Sequence, residues 1–248
     1  MSPLPVQAWS SLSPEFELPP GAVHVWRAEL DVSAAELSEY RSLLDHAERR
    51  RAEQLRRPQD RIQFVVGRGL LKRLLGWYLR RDPLGLTLDY RPGGRPFLQA
   101  APSHEPLHFN LAHSGGLGLY AFSRNREVGV DIERIRETSS IEKLAERFFA
   151  SDEIARLKAF PEREQRRAFF QLWTYKEAYL KALGVGLYRA LAEFTIVDSG
   201  RGASELRDPG NFTGGRRWML RAVEVAPSFA AALAYEAPEA DVRLLEWR

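Results

Sequence analysis

The spacing of hydrophobic and polar residues changes period several times along this chain. Residues 22–30 (AVHVWRAEL) alternate apolar and polar positions, the period of a half-buried strand. Residues 33–44 shift to a helical period, with Ser33 as N-cap and Glu36 three positions on, the pattern of a capping box. Residues 45–57 read as a highly charged helix. Residues 60–79 read as a longer one, whose buried side is Ile62, Phe64, Val65, Leu70, Leu71, Leu74 and Leu75. A short strand at 86–90 leads into a tight, basic, glycine-rich loop, RPGGRP, at 91–96. Strands are predicted at 107–111 and 117–123, separated by AHSGG, and at 127–135. Helices follow at 140–149 and at 152–160, the latter with Ser151 as N-cap. Residues 162–183 form one long amphipathic helix, with Gly184 where a C-terminal cap belongs. The rest reads as strands at 194–198, 217–225, 229–235 and 242–247, with a polar loop at 201–215.

This order contains a repeat. Val23 to Trp26 lies 107 residues before Val130 to Glu133, and Arg68 to Gly76 lies 108 residues before Lys176 to Gly184. In each half a strand precedes two or three helices, and further strands follow. The expected fold is therefore α+β, built from two similar α/β halves in a pseudo-twofold arrangement. The expected division is a leader over 1–20, an N-terminal half over 21–124 and a C-terminal half over 125–248. A cleft between such halves is a common place for a ligand.

Composition narrows the chemistry. With 248 residues and 44% hydrophobic content, the chain can bury a substantial core. It has no cysteine, so disulfides and thiolate metal sites are excluded. The first residues lack a basic start and a long apolar run, and no stretch approaches the roughly 20 apolar residues of a membrane span. A cytoplasmic protein is expected, with no membrane partner. The net charge is only +3, but basic residues cluster at 49–51, 56–57, 68–73 and 80–81. Such clusters suit an acidic protein or a phosphorylated cofactor, or are plain solvated helix faces. A nucleic-acid partner is not expected, because the arginines lack interleaved aromatic residues.

Candidate chemistry concentrates in two segments. In VGVDIE, Asp131 and Glu133 are two apart on a strand, so both leave one face while Val130 and Ile132 point to the core. In the long helix, Trp173, Glu177 and Lys181 share one stripe at i, i+4 and i+8. That spacing also describes a packed tryptophan beside a surface ion pair. If Glu177 joins Asp131 and Glu133, three carboxylates suit a hard divalent ion such as Mg²⁺. His113, followed by Ser114 and two glycines, could hydrogen-bond a phosphate, or mark an ordinary hairpin. Arg91 and Arg95 could grip phosphate as forks, or be solvated loop arginines.

Taken together, GRP (94–96), NLAHSG (110–115), VGVDIE (128–133), RFF (147–149) and W-x-x-KE-A-x-x-K-x-x-G-x-G (173–186) resemble the phosphopantetheinyl transferases of the surfactin-synthetase type. The resemblance implies a two-half fold and transfer of the 4′-phosphopantetheine arm of coenzyme A to a serine of an apo carrier protein, releasing adenosine 3′,5′-bisphosphate. It implies Mg²⁺ at Asp131, Glu133 and Glu177. Glu177 would be the base, with Asp131 and Lys181 completing the catalytic set and Lys181 meeting the transferred phosphate. His113, Arg51, Arg91 and Arg95 would contact coenzyme A. Arg95 stands at the family's GKP lysine, Ala112 where relatives commonly carry a hydroxyl, and Gln63 where some carry a basic residue. A monomer is expected, since two halves already form the site. The alternative is a non-catalytic module that binds coenzyme A or a carrier protein.

Overall fold

The computed structural model describes residues 9, 17–91, 94–98, 106–137, 141–184, 189–198, 204–210 and 214–248. Most of the leader, Pro92 and Gly93 of the basic loop, Gly186 of the long motif and parts of 201–215 lie outside the described residues. The first series of elements is β1 (Val23–Glu29), α1 (Ala34–Ser42), α2 (His46–Gln54), α3 (Pro58–Leu79), β2 (Leu88–Tyr90), β3 (Pro96–Leu98), β4 (Leu107–Ser114) and β5 (Leu117–Arg124). The second is β6 (Val128–Arg134), α4 (Ile141–Phe148), α5 (Ser151–Lys158), α6 (Glu162–Leu183), β7 (Thr195–Asp198), β8 (Ser204–Arg207), β9 (Trp218–Ala222) and β10 (Phe229–Glu236). Strand β11 (Val242–Glu246) follows. The fold is α+β, and strand pairing repeats with element order. The pairs β1–β5, β4–β5 and β2–β3 are matched by β6–β10, β9–β10 and β7–β8. The last strand runs parallel to β1, so the two larger sheets are β11-β1-β5-β4 and β6-β10-β9-β8-β7, with β2-β3 a separate two-stranded sheet.

The repeat has a different register from the one read in the sequence. Strand β1 starts at Val23 and β6 at Val128, 105 residues on; α3 starts at Pro58 and α6 at Glu162, 104 on. Identities such as those between Arg68–Gly76 and Lys176–Gly184 therefore fall out of step with the helices that carry them. Other local differences have local causes. β4 runs on through Ala112, His113 and Ser114, because Gly115 and Gly116, at φ +56° and +89°, alone make the hairpin turn. Helix α5 is capped at Ala150 rather than Ser151, and the Glu153 carboxylate accepts the Ala150 N–H at 3.1 Å. The polar stretch expected as a loop contains β8, stabilised by its neighbours β7 and β9 rather than by its own pattern.

Four apolar clusters hold the described residues together, and three of them join the sheets to the long helices. Leu70, Leu71, Leu74 and Leu75 of α3 pack on Trp26, Tyr120 and Phe122 of the first sheet. Val23, Val25, Leu119 and Ala121 meet Val130, Ile132, Leu233 and Tyr235 of the second. Helix α6 covers the other face of the second sheet with Ala178, Tyr179 and Ala182 against Ala232 and Ala234. Edge strand β4 lies beside β6 and is joined to it by side chains: Asn110 Oδ1 accepts the Val130 N–H at 3.0 Å, and Ser114 Oγ the Arg134 N–H at 3.1 Å. No helix among the described residues is long and apolar enough to cross a membrane.

The approach of α6 to β6 is set at Gly129. A Cβ there would overlap the Ala178 carbonyl oxygen and lie 2.5 Å from the Ala182 amide nitrogen. Both obstacles are helix backbone, which cannot rotate away. We expect Gly129→Ala to destabilise the fold by about 3 kcal/mol, the upper range of overpacking. Urea unfolding measures this; a cost below about 0.5 kcal/mol, typical of surface changes, would show that the helix is not seated on this glycine.

Candidate active site

On β6, alternation sends Gly129, Asp131 and Glu133 to the side that α6 covers, while Val128, Val130 and Ile132 enter the core shared by the sheets. The glycine brings the helix in, and the helix delivers Glu177 and, one turn on, Lys181. The Lys181 ammonium donates to Asp131 Oδ1 at 2.6 Å. Asp131 is buried, with 5% exposure. Glu133 Oε2 accepts from the Ser114 hydroxyl at 3.1 Å. Asn110 and Ser114 of the NLAHSG motif thus hold β4 to the carboxylate strand, a role for which the motif alone gave no signal.

The cluster carries more negative charge than its surroundings neutralise. Burial first, then the neighbouring Asp131 and Glu133 charges, push the Glu177 carboxyl up to about 6, against the pull of Lys181. Burial also raises Asp131, although Lys181 opposes it, and burial with the Asp131 charge raises Glu133. Asp131 Oδ2 and Glu177 Oε1 are buried acceptors without a hydrogen-bond partner. Among the described residues, no three His, Asp or Glu side chains already form a ready ligand cluster. Two unpartnered carboxylate oxygens and an adjacent third carboxylate nevertheless fit a hard cation that completes its shell with water and substrate oxygens.

Beside this cluster is a cavity of about 200 Å³. Gln63, Phe64, Gly67 and Arg68 of α3 line it, with Gly94, Arg95 and Pro96, then Asn110, Leu111 and His113 of β4, and finally Lys181 and Gly184. Desolvation at the cavity, and then the Lys181 and Arg68 charges, hold the His113 pKa below that of a free imidazole. Arg91 is exposed, over the Phe97 ring and near Gly184. Arg51 is exposed and does not line the cavity; it stacks on Phe64 and Tyr90 at 5.7 and 5.2 Å.

Arg95 lines the cavity and donates to Glu127 Oε2 at 2.8 Å, the Ala182 carbonyl at 2.8 Å and the Phe109 carbonyl at 3.4 Å, which ties its loop to the end of α6. Trp173 packs against Phe148 at 5.3 Å, Phe169 at 6.1 Å and Phe149 at 6.4 Å, so it ties α6 to the RFF segment. Arg68, in sequence one of a basic cluster, is buried on the apolar stripe of α3, one turn after Phe64.

The raised Glu177 pKa has a consequence for folding. A carboxyl that binds its proton more tightly when folded favours the fold below its unfolded pKa, about 4.5, and that contribution is lost as pH rises through about 6. Thermal melts with a chelator should show this loss in wild type and not in Glu177→Gln, which should be at least as stable near pH 7. Parallel pH profiles for the two proteins would show that Glu177 is not under this repulsion.

Comparison with known proteins follows the same elements. The 4′-phosphopantetheinyl transferase superfamily matches residues 127–234, from β6 into β10. The 4′-phosphopantetheinyl transferase HetI of Nostoc sp. is 38% identical over 189 residues, covering 76% of this chain and 79% of its own. The 4′-phosphopantetheinyl transferase Sfp of Bacillus subtilis is 24% identical over 208 residues, covering 84% and 89%. A holo-(acyl-carrier-protein) synthase from Bacillus anthracis, solved with coenzyme A (3′,5′-ADP), aligns at 21% identity over 46% of this chain and 96% of its own, with a TM-score of 0.39.

Proposed function

We propose that this chain, which belongs to the 4′-phosphopantetheinyl transferase superfamily and is therefore a transferase, moves the phosphopantetheine arm of coenzyme A to a serine hydroxyl of an apo carrier protein. The observation that supports this most strongly is the meeting of Asp131, Glu133 and Glu177 with Lys181, which also lines a cavity together with His113 and Arg68. Simple binding of an anion does not call for three crowded carboxylates. Transfer of a phosphoryl-type group needs positioning and charge neutralisation, and a cluster poised for a cation beside a lysine offers both.

In this reading Asp131, Glu133 and Glu177 hold Mg²⁺. When bound, the ion neutralises the pyrophosphate of coenzyme A and fixes its orientation. The serine oxygen forms a bond to the phosphorus that carries the pantetheine arm. The bond from that phosphorus to the bridging oxygen breaks, and adenosine 3′,5′-bisphosphate leaves with the electron pair. Glu177 takes the serine proton, directly or through water. Lys181 exchanges its contact with Asp131 for the transferred phosphate and stabilises its growing charge. His113 donates a hydrogen bond to a phosphate oxygen, and exposed Arg51 and Arg91 attract the polyanion. Arg95 supports the site by holding the end of α6. The two series of elements act as two halves that form the site between them in a monomer, with β11 returning from the second to the first sheet. The arginines of α2 and α3 give an acidic carrier a surface to dock on.

Intact-protein mass spectrometry tests this directly. An apo carrier protein incubated with the enzyme, coenzyme A and Mg²⁺ should gain one phosphopantetheine mass. Omitting the metal, or changing Glu177→Gln or Lys181→Met, should slow the gain by at least about 100-fold, the range for general bases and charge-stabilising groups. No mass gain across several acyl and peptidyl carriers would overturn the assignment. Full activity of Glu177→Gln would remove the proposed base.

A further inference from the structure

Glu127, the residue just before β6, takes no part in the chemistry described so far. Its half-buried carboxylate is nevertheless engaged on both oxygens. Arg95 Nη2 donates to Oε2 at 2.8 Å, and His108 Nδ1 lies 3.4 Å from Oε1. Burial alone would raise its pKa, but hydrogen bonding from His108 and the charge and hydrogen bond of Arg95 bring it down to about 2. The carboxylate is therefore ionised throughout the neutral range. Its backbone is fixed as well, because the Glu127 carbonyl accepts the Glu236 N–H at 3.2 Å. The anion is thus anchored to β10, one residue ahead of the strand that carries Asp131 and Glu133.

Through Arg95 this anion reaches the end of α6. The guanidinium joins three segments: Glu127 beside β6, the Phe109 carbonyl on β4 and the Ala182 carbonyl in the last turn of α6. The last carbonyls of a helix have no donor within the helix, and a cation there also meets the negative end of the helix dipole. Arg95 therefore caps α6 at the residue that follows Lys181. Gly184, which ends the helix at φ +72°, lies against the same fork, since a Cβ there would be 3.4 Å from Arg95 Nη1. Among the described residues, Glu127 is the only carboxylate paired with Arg95. Without it, a mostly buried guanidinium would be left with two carbonyls, and nothing charged would aim the fork at Ala182. Helix ends fray, and Lys181 stands in the last turn of this one.

Building on the transferase reading, we propose that Glu127 is a positioning residue for Lys181. It holds the Arg95 fork on the Ala182 carbonyl, which keeps the last turn of α6 wound and the Lys181 ammonium at the place where the transferred phosphate is met.

Steady-state kinetics of carrier modification at varied coenzyme A test this in wild type, Glu127→Gln, Lys181→Met and the double variant. Glu127→Gln keeps the shape and a hydrogen-bond acceptor but removes the charge. It should lower kcat by about 10- to 100-fold and change KM for coenzyme A by less than about threefold, the scale on which outer partners and misplacement of a functional group act. On the Lys181→Met background the same change should cost less than about twofold, because residues that act through one another do not add. Glu127→Asp restores the charge one methylene short and should recover part of the loss; it carries the test if Glu127→Gln does not fold. Equal losses with and without Lys181, or full activity of Glu127→Gln, would overturn the proposal. So would a raised KM at unchanged kcat, which would make Glu127 a support for coenzyme A binding alone. These outcomes leave the transferase reading standing, whereas no modification of any carrier by wild type would overturn both.

Discussion

The backbone contact between Gly129 and the Ala178–Ala182 turn is the constraint on which the site depends. Most helix–sheet packing is separated by side chains, but here a strand glycine lies directly against helix backbone. Ala232 and Ala234 of β10 pack beside it with Ala178 and Ala182 of α6. That proximity lets a short aspartate on the strand reach a lysine on the helix at 2.6 Å. It also brings Glu177 toward Asp131 and Glu133, whose charges add to burial in raising the Glu177 carboxyl. The fold thus places like charges together where packing, rather than charge attraction, decides the distance. Such crowding of like charges costs stability unless a cation or a proton meets it.

The repeated elements show what this seat replaces. Trp26 is the fourth residue of β1, as Asp131 is of β6; Trp77 is the twentieth of α3, as Lys181 is of α6. Trp26 and Trp77 meet edge to face at 5.9 Å, with Trp247 of the chain's end against both. One strand–helix pair therefore carries an ion pair, and its counterpart carries aromatic packing. The buried helix lysines are more alike. Lys72 meets Glu48 at 2.8 Å, and Lys176 meets Glu153 at 2.8 Å, each glutamate also capping its own helix. These pairs satisfy charges inside the fold and explain why the basic run at 68–73 is not one solvated face.

Much of this was legible in the sequence because it follows local rules. The 3.6-residue period and a terminal glycine define α6 at both ends, and strand alternation puts Asp131 and Glu133 on one face. The features that were not legible depend on partners distant in sequence. Arg95 looks like a loop arginine until Glu127 and the end of α6 are placed beside it. β8 has little strand character of its own and is stabilised by strands on both sides. The repeat was visible in element order but misregistered by two to four residues, because residue identities are sparse and burial, not identity, fixes the register. Arg68 needed the cavity: in sequence it is one arginine among many, and in the fold it is a buried cation without an anion.

In the proposed function, Asp131, Glu133 and Glu177 form one cation site working with bound coenzyme A. Thermal stability measured across a Mg²⁺ titration, with coenzyme A present, tests it without relying on turnover. A ligand that binds only the folded protein stabilises it by about 2.7 kcal/mol at 100 times its Kd. Wild type should gain stability with Mg²⁺, and Glu177→Gln should lose most of that gain while folding normally. Equal gains in both proteins, or none in wild type, would mean that these carboxylates do not form the cation site.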